Sequence, residues 1–226
     1  MDDSSVTIQK FISSATCLLH TLLINGSDVD DYECCNLCDA MINNHSIHTL
    51  GLARNLIGNE EYKKTTDPGL RLGGDGIAKM LEENQTLTSL DVQYNQLRQT
   101  SAVAIGKALK LNHSLVILKA GFNSFGDLGT QHLGSSLKTN RTLEHLDLKS
   151  NSLVPKSVCV LANALSHNDK LRNLILDDNI LGRLGAQAVA AAIQRSSQAE
   201  REWKLVISFN NSDCFKETND LFDPGM

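Results

Sequence analysis

The amino-acid sequence predicts an α/β solenoid: a stack of like strand–helix units, with the strands in one parallel sheet and the helices in a second layer. Three observations carry this. First, one phrase recurs. LTSLDVQYNQL, LVILKAGFNSF, LEHLDLKSNSL and LRNLILDDNIL begin at Leu87, Leu115, Leu143 and Leu171, each 28 residues after the last, and a fixed period of this size marks a repeat architecture. Second, apolar residues alternate within the phrase, as at Leu146 and Leu148, which is the period of a short strand with one face on a core. Third, the spacing after each phrase turns helical, as at Leu133 and Leu137 or at Ala188, Ala192 and Ile193. A unit of one strand and one helix cannot bury both apolar faces alone, so neighbours must stack.

The elements follow in order. Ile8, Phe11, Ile12 and Ala15 stand at helical intervals, which predicts a capping helix over 5–15, within an N-terminal segment 1–18, covering the open end of the first unit. LHTLLINGSDV at Leu19, with Ser27 where later phrases have Asn, and IHTLGLARNLI at Ile47 open two earlier units. The step from Ile47 to Leu87 is 40 residues, so that unit carries 12 extra, assigned to Glu60 through Arg71 between its strand and its helix. Loops are where a repeat scaffold accepts novelty, so this insertion is a candidate functional segment. After the regular units come a helix near Ala186 to Arg195 and a last strand in Trp203 to Asn210 with Leu205 and Ile207 inward. The repeat domain thus spans 19–210 with seven strands, and the polar stretch 211–226 reads as a tail or a linker to further sequence.

The phrase LxxLxLxxNxL, its 28-residue period and its helical second half resemble the leucine-rich repeat proteins of the ribonuclease-inhibitor-like class, over Leu19 to Asn210. The resemblance implies a horseshoe with parallel strands on the concave face and helices on the convex face. It implies that Leu90 and Val92, Leu118 and Ala120, Leu146 and Leu148, and Leu174 and Leu176 point inward, and that the amides of Asn55, Asn95, Asn123, Asn151 and Asn179 bond to backbone at the strand-to-loop turn. It also implies a non-catalytic scaffold that binds another protein; relatives include ligand-sensing regions of innate immune receptors, cytoskeletal caps and ciliary assembly subunits.

On such a scaffold the residues between the inward leucines face the concave side. Asp91, Lys119, Asp147, Lys149 and Asp177 are therefore candidate protein-binding residues, together with Arg54, Tyr94 and Phe122, which precede the structural Asn in successive units. Strands about 4.8 Å apart put Tyr94 beside Phe122, and aromatics and Arg are the residue types most enriched at binding hot spots. An alternative is a similarity to GTPase-activating proteins for the transport GTPase Ran, in which Arg54, Arg71 and Arg98 would be the rim residues assisting the partner's hydrolysis. The long acidic stretch of that family is missing here.

Other motifs yield to the repeat. Cys34-Cys35-Asn36-Leu37-Cys38, with His45 and His48 nearby, has the ligand types of a zinc site. In repeat register, however, Cys34 matches Ala102 and Ala186, and Cys38 matches Gly106, Gly134, Ala162 and Ala190; these are small-residue positions where Cys behaves as a small hydrophobe. Asn44, Asn84, Asn112 and Asn140 each begin an Asn-x-Ser/Thr triplet. They are expected to end each helix in the left-handed conformation that Asn tolerates, rather than to carry glycans. Leu72-Gly73-Gly74-Asp75-Gly76 lacks the Lys-Ser or Lys-Thr of a phosphate loop, and its glycines fall at the loop-to-helix place of Gly129 and Gly185.

Composition closes the survey. With 21 Lys and Arg against 26 Asp and Glu, a net charge of −5 disfavours nucleic acid as a partner. No run is long and apolar enough for a membrane span, no basic signal segment opens the chain, and six scattered Cys suit reduced thiols. The expectation is a cytoplasmic, non-enzymatic protein with no cofactor and no metal.

Overall fold

The computed structural model describes residues 3–14, 16–58, 71–198 and 206–209. Seven strands, β1 Thr21–Leu23, β2 Thr49–Gly51, β3 Ser89–Asp91, β4 Ile117–Lys119, β5 His145–Asp147, β6 Asn173–Ile175 and β7 Val206–Ser208, form one sheet in sequence order. Every pairing is parallel and in repeat register: Leu22, Leu50, Leu90, Leu118, Leu146, Leu174 and Ile207 make one row. The helices are α1 Asp3–Ile12, α2 Asp31–Ile42, α3 Gly73–Glu83, α4 Gln99–Leu111, α5 Gly126–Leu137, α6 Pro155–Leu165 and α7 Gly182–Gln198. From α2 to α7 each packs on the next, giving the second layer.

The core lies between the layers. Leu90, Val92, Leu118, Ala120, Leu146, Leu148, Leu174 and Leu176 are all buried, as the alternation requires, and Phe125 is the largest fully buried side chain. The helix-side small residues bring the helices close: a Cβ on Gly129 would lie 2.3 Å from that of Ala102, and one on Gly74 would lie 2.2 Å from that of Ser101. Gly74 and Gly129 therefore sit inside the helices as close-approach points, rather than in the loops leading to them. Cys34 and Cys38 are buried in α2.

Two ladders of asparagines lock the units together. In the expected one, Nδ2 of Asn55, Asn95, Asn123, Asn151 and Asn179 donates to the carbonyls of Ile24, Leu52, Val92, Ala120 and Leu148 in the preceding unit, at 2.7 to 2.9 Å. Their Oδ1 atoms accept from the backbone N–H of Val29, Ile57, Leu97, Phe125 and Leu153. The second ladder corrects the sequence expectation for the triplets. Asn84 and Asn112 are extended, with φ of −79° and −75°, not left-handed. Nδ2 of Asn44, Asn84, Asn112, Asn140 and Asn168 reaches the carbonyls of Ile12, Met41, Leu81, Leu109 and Leu137. Each Oδ1 accepts from the N–H three residues on, from Ile47 to Leu171. Asn168 belongs although no Ser or Thr follows it at the triplet position; the repeated element is the buried amide, which satisfies backbone groups that the stack removes from water.

The ends depart from expectation in one respect. Among the side chains of α1 that are described, Ile12 joins the core, whereas Ile8 and Phe11 remain 44% and 51% exposed; Asn44 Nδ2 donates to the Ile12 carbonyl. Ala15, residues 60–70 of the insertion, Trp203 to Leu205, Asn210 and the tail 211–226 lie outside the described residues. Ile207 sits in β7 beside Leu174, as the phrase register requires. Among the described residues no helix is long and apolar enough to cross a membrane.

Candidate functional site

Three residues past the end of each strand from β1 to β6 the chain passes through a left-handed residue, and the sequence decides what stands there. Gly26, Arg54, Tyr94, Phe122, Ser150 and Asp178 hold this place in successive units, with φ between 50° and 62°. The conformation is built into the ladder: the N–H of Arg54, Tyr94 and Phe122 donates to the carbonyls of Gln93, Gly121 and Lys149 on the following unit. Glycine fills such a place without strain, whereas a bulky L-residue is held there at a cost of about 1–2 kcal/mol.

The three large side chains form a ladder of their own. The Tyr94 and Phe122 rings stack with centroids 4.0 Å apart and planes 9° from parallel. The Arg54 guanidinium lies 4.3 Å from the Tyr94 centroid, and Lys149 Nζ lies 5.5 Å from the Phe122 centroid and 3.2 Å from Asp178 Oδ2. The Asp178 carboxylate raises the Lys149 pKa. Tyr94 is 39% exposed and Phe122 half-buried, so a stack of two rings between two cations is partly open along the strand ends. The expected row of Arg54, Tyr94 and Phe122 is thus brought together, and Lys149 joins it at the Phe122 end.

Asp91, Lys119, Asp147 and Asp177 lie beside this ladder on the sheet face away from the helices. The three carboxylates each accept a hydrogen bond. Asp91 Oδ1 accepts from the Gln93 N–H. Asp147 accepts from Gln93 Nε2 at 2.9 Å and from the Lys149 N–H, and Asp177 accepts from Ser208 Oγ at 2.8 and 3.0 Å. Burial raises the Asp147 pKa, with the Lys149 N–H and ammonium opposing and Asp177 and Asp91 adding. The Gln93 bond spans two strands because Gly121 lies between them; a Cβ on Gly121 would sit 3.1 Å from Gln93 Nε2 and 3.2 Å from Asp147 Oδ1. Sequence reasoning missed this link, whose only signal is a glycine on the strand face.

The remaining candidates are placed elsewhere. Arg71 Nη1 pairs with Asp39 at 3.0 Å, and Lys79 shares that carboxylate at 3.2 Å, tying α2 to α3. Arg98 is the N-cap residue of α4. Arg54 faces Tyr94, so no observation favours the three arginines as one catalytic rim. The Cys34 pKa is pushed well up by its hydrogen bond with Cys38 and by burial, and burial pushes Cys35 up to about 12; such thiols are poor nucleophiles and poor ligands. Among the described residues no group of three or more His, Cys, Asp or Glu could hold a metal ion.

No protein-family model matches the chain, and no curated protein matches it. Solved structures do: one described as "Leiomodin-1 Actin-Binding Site 2 (ABS2)" superposes with a TM-score of 0.54 at 16% sequence identity, over 97% of this chain and 96% of that one. At this identity the likeness is one of fold, and the chain is a repeat solenoid of parallel strands and alternating helices.

Proposed function

We propose that the chain is a non-catalytic scaffold of the ribonuclease-inhibitor-like leucine-rich repeat kind, holding another protein on the concave face of a horseshoe and along the strand-to-helix rim. One observation carries the reading: Tyr94 and Phe122 occupy left-handed positions where glycine would cost nothing, and they are kept there stacked and partly exposed. Stacking contributes about 0.5–1.5 kcal/mol and an exposed cation–π contact about 0.5–1 kcal/mol. These gains only offset the backbone strain, so stability alone gives no reason for the rings. A partner that desolvates them does.

The fold shared with a structure described as an actin-binding site supports protein binding as a use of this architecture, and makes actin the first partner to test. The test is capture with the intact chain beside a Tyr94→Ala, Phe122→Ala double variant, with Lys107→Ala on α4 as control. Partner retained by the native chain and the control but lost from the double variant, with all three equally folded by circular dichroism, is the expected result. Capture that survives the double substitution defeats the reading.

A further inference from the structure

The helix layer has a surface of its own on the side away from the sheet. An open groove of about 650 Å³ runs between α6 and α7, lined by apolar Val154, Pro155, Val160 and Leu184 together with Cys159 and Lys156. It faces away from the core, since Val158, Leu161, Ala162 and Leu165 are the side chains that α6 buries. Cys159 Sγ donates to the Leu184 carbonyl at 3.7 Å, tying the start of α7 to α6, and the Leu184 side chain stands out there 68% exposed. An exposed leucine alone needs no explanation. The charges around this one do.

Neither α6 nor α7 contains an Asp or a Glu, although the chain has 26 of them. The first turns of α2, α3 and α5 hold acids, namely Asp31 and Glu33, Asp75, and Asp127, as the partial positive charge of a helix N-terminus favours. In α6 and α7 cations take that place, Lys156 and Arg183. Both are exposed, and neither makes an ion pair or a hydrogen bond among the described residues. Two cations are thus added to two helix ends of the same sign, and no described acid offsets them. Asp91, Asp147 and Asp177 keep their charges on the far side of the core, and Asp178 pairs with Lys149. Asp127 stands on the next helix, about 8–10 Å away, where physiological salt already screens an exposed charge. The groove is locally positive.

We infer that the groove between α6 and α7 takes an acidic amphipathic helix of a partner protein, with its apolar side chains against Val160 and Leu184 and its carboxylates on Lys156 and Arg183. The groove follows α6 from Val154 to Asn163, about 14 Å at 1.5 Å per residue, so apolar anchors at i, i+4 and i+7 of a helix laid along it meet its lining. Two cations are too few for a phosphate backbone or an anionic bilayer, each of which is held by several. This surface lies on the opposite layer from the aromatic rim, and the inference does not depend on the scaffold reading above.

The probes are labelled synthetic peptides of about 14 residues on a helix-forming Ala background: Leu at i, i+4 and i+7 with flanking Glu, the same with Lys for Glu, and the acidic one with Ser for Leu. Vesicles rich in phosphatidylserine are a further arm. Fluorescence anisotropy against the full chain should give binding of the acidic Leu peptide alone, weakening as salt rises. Lys156→Glu combined with Arg183→Glu should weaken it at least about tenfold, and Leu184→Ser should do likewise. Lys107→Glu, the same reversal two helices away on α4, should leave it unchanged. The paired reversal puts acids where a helix N-terminus favours them, so thermal unfolding should find that variant at least as stable as the native chain, and lost binding is not lost folding. Tighter binding of the basic peptide, capture by the vesicles, indifference to the paired reversal, or equal weakening by Lys107→Glu overturns the inference. So does the absence of binding to the full chain, the result expected where its own acidic stretch 211–226 holds the groove.

Discussion

Asn123 shows how much one side chain holds. Its Nδ2 donates to the carbonyls of Val92 and Ala120, and its Oδ1 accepts from the Leu97 N–H, all in the interior. Asn123→Ala leaves the Leu97 N–H buried without a partner, while Val92 O keeps the Asn95 amide, so urea unfolding should report a loss of about 1–3 kcal/mol. Asn140→Ala, which strands Leu109 O and the Leu143 N–H, should cost about as much; a loss under about 1 kcal/mol there would show that the second ladder is ornamental. Ser101 is the opposite case. Its buried hydroxyl has no partner, so Ser101→Ala should be neutral or stabilise by up to about 1 kcal/mol, and a clear loss would mean that the hydroxyl bonds in solution. Asn123 was legible in the sequence because the phrase carries it. For Asn140 the recurrence is legible but its cause is not, because spacing shows recurrence without showing what an amide bonds to across a stack. The Tyr94 and Phe122 adjacency followed from period and strand spacing. Their left-handed backbone did not, since an aromatic is the residue type least expected there.

At the scale of elements, α2 does more than fill its layer. Asp30 and Glu33 form a capping box at its start, and Asp31 Oδ1, buried in the first turn, accepts the N–H of Gly58 at 2.6 Å and of Gly73 at 2.7 Å. These two residues flank the longest departure from the 28-residue period, so one carboxylate clamps both sides of it. Burial raises the Asp31 pKa, outweighing those two donors. A carboxyl whose folded pKa exceeds its unfolded value contributes fully below the unfolded value, and this contribution is lost as pH rises through the folded one. Asp31→Asn keeps the acceptor and removes the titration. The variant should therefore gain on the native chain in unfolding free energy as pH rises from about 3 to about 7; a difference that is flat or falls with pH would show that the buried carboxylate is not penalised. The insertion was legible as a count of residues, but its clamp was not, because nothing in a one-dimensional pattern relates Asp31 to Gly73. The cap helix was legible as a periodicity, yet periodicity could not tell that Ile8 and Phe11 stay exposed.

The molecule as a whole behaves as a line of neighbours. Strands pair only in sequence order, and from α2 to α7 each helix packs on the next, so stability is close to a sum of unit and interface contributions. Damage should then be felt where it is made. Leu118 and Leu174 are both buried to about the same degree and lose the same atoms on substitution by Ala, at about 2–5 kcal/mol each. They differ in position: among the described residues β4 has three strands on either side, whereas beyond β6 stands β7 alone. Leu174→Ala should release the end of the stack, so that amide hydrogen exchange accelerates in β6, α7 and β7 while α2 to α4 keep their protection. Leu118→Ala has no short end to release, and should accelerate exchange on both sides of β4. If Leu174→Ala instead raises exchange equally from α2 to α7, the solenoid unfolds as one cooperative block, and the interfaces between units are stronger than the units themselves.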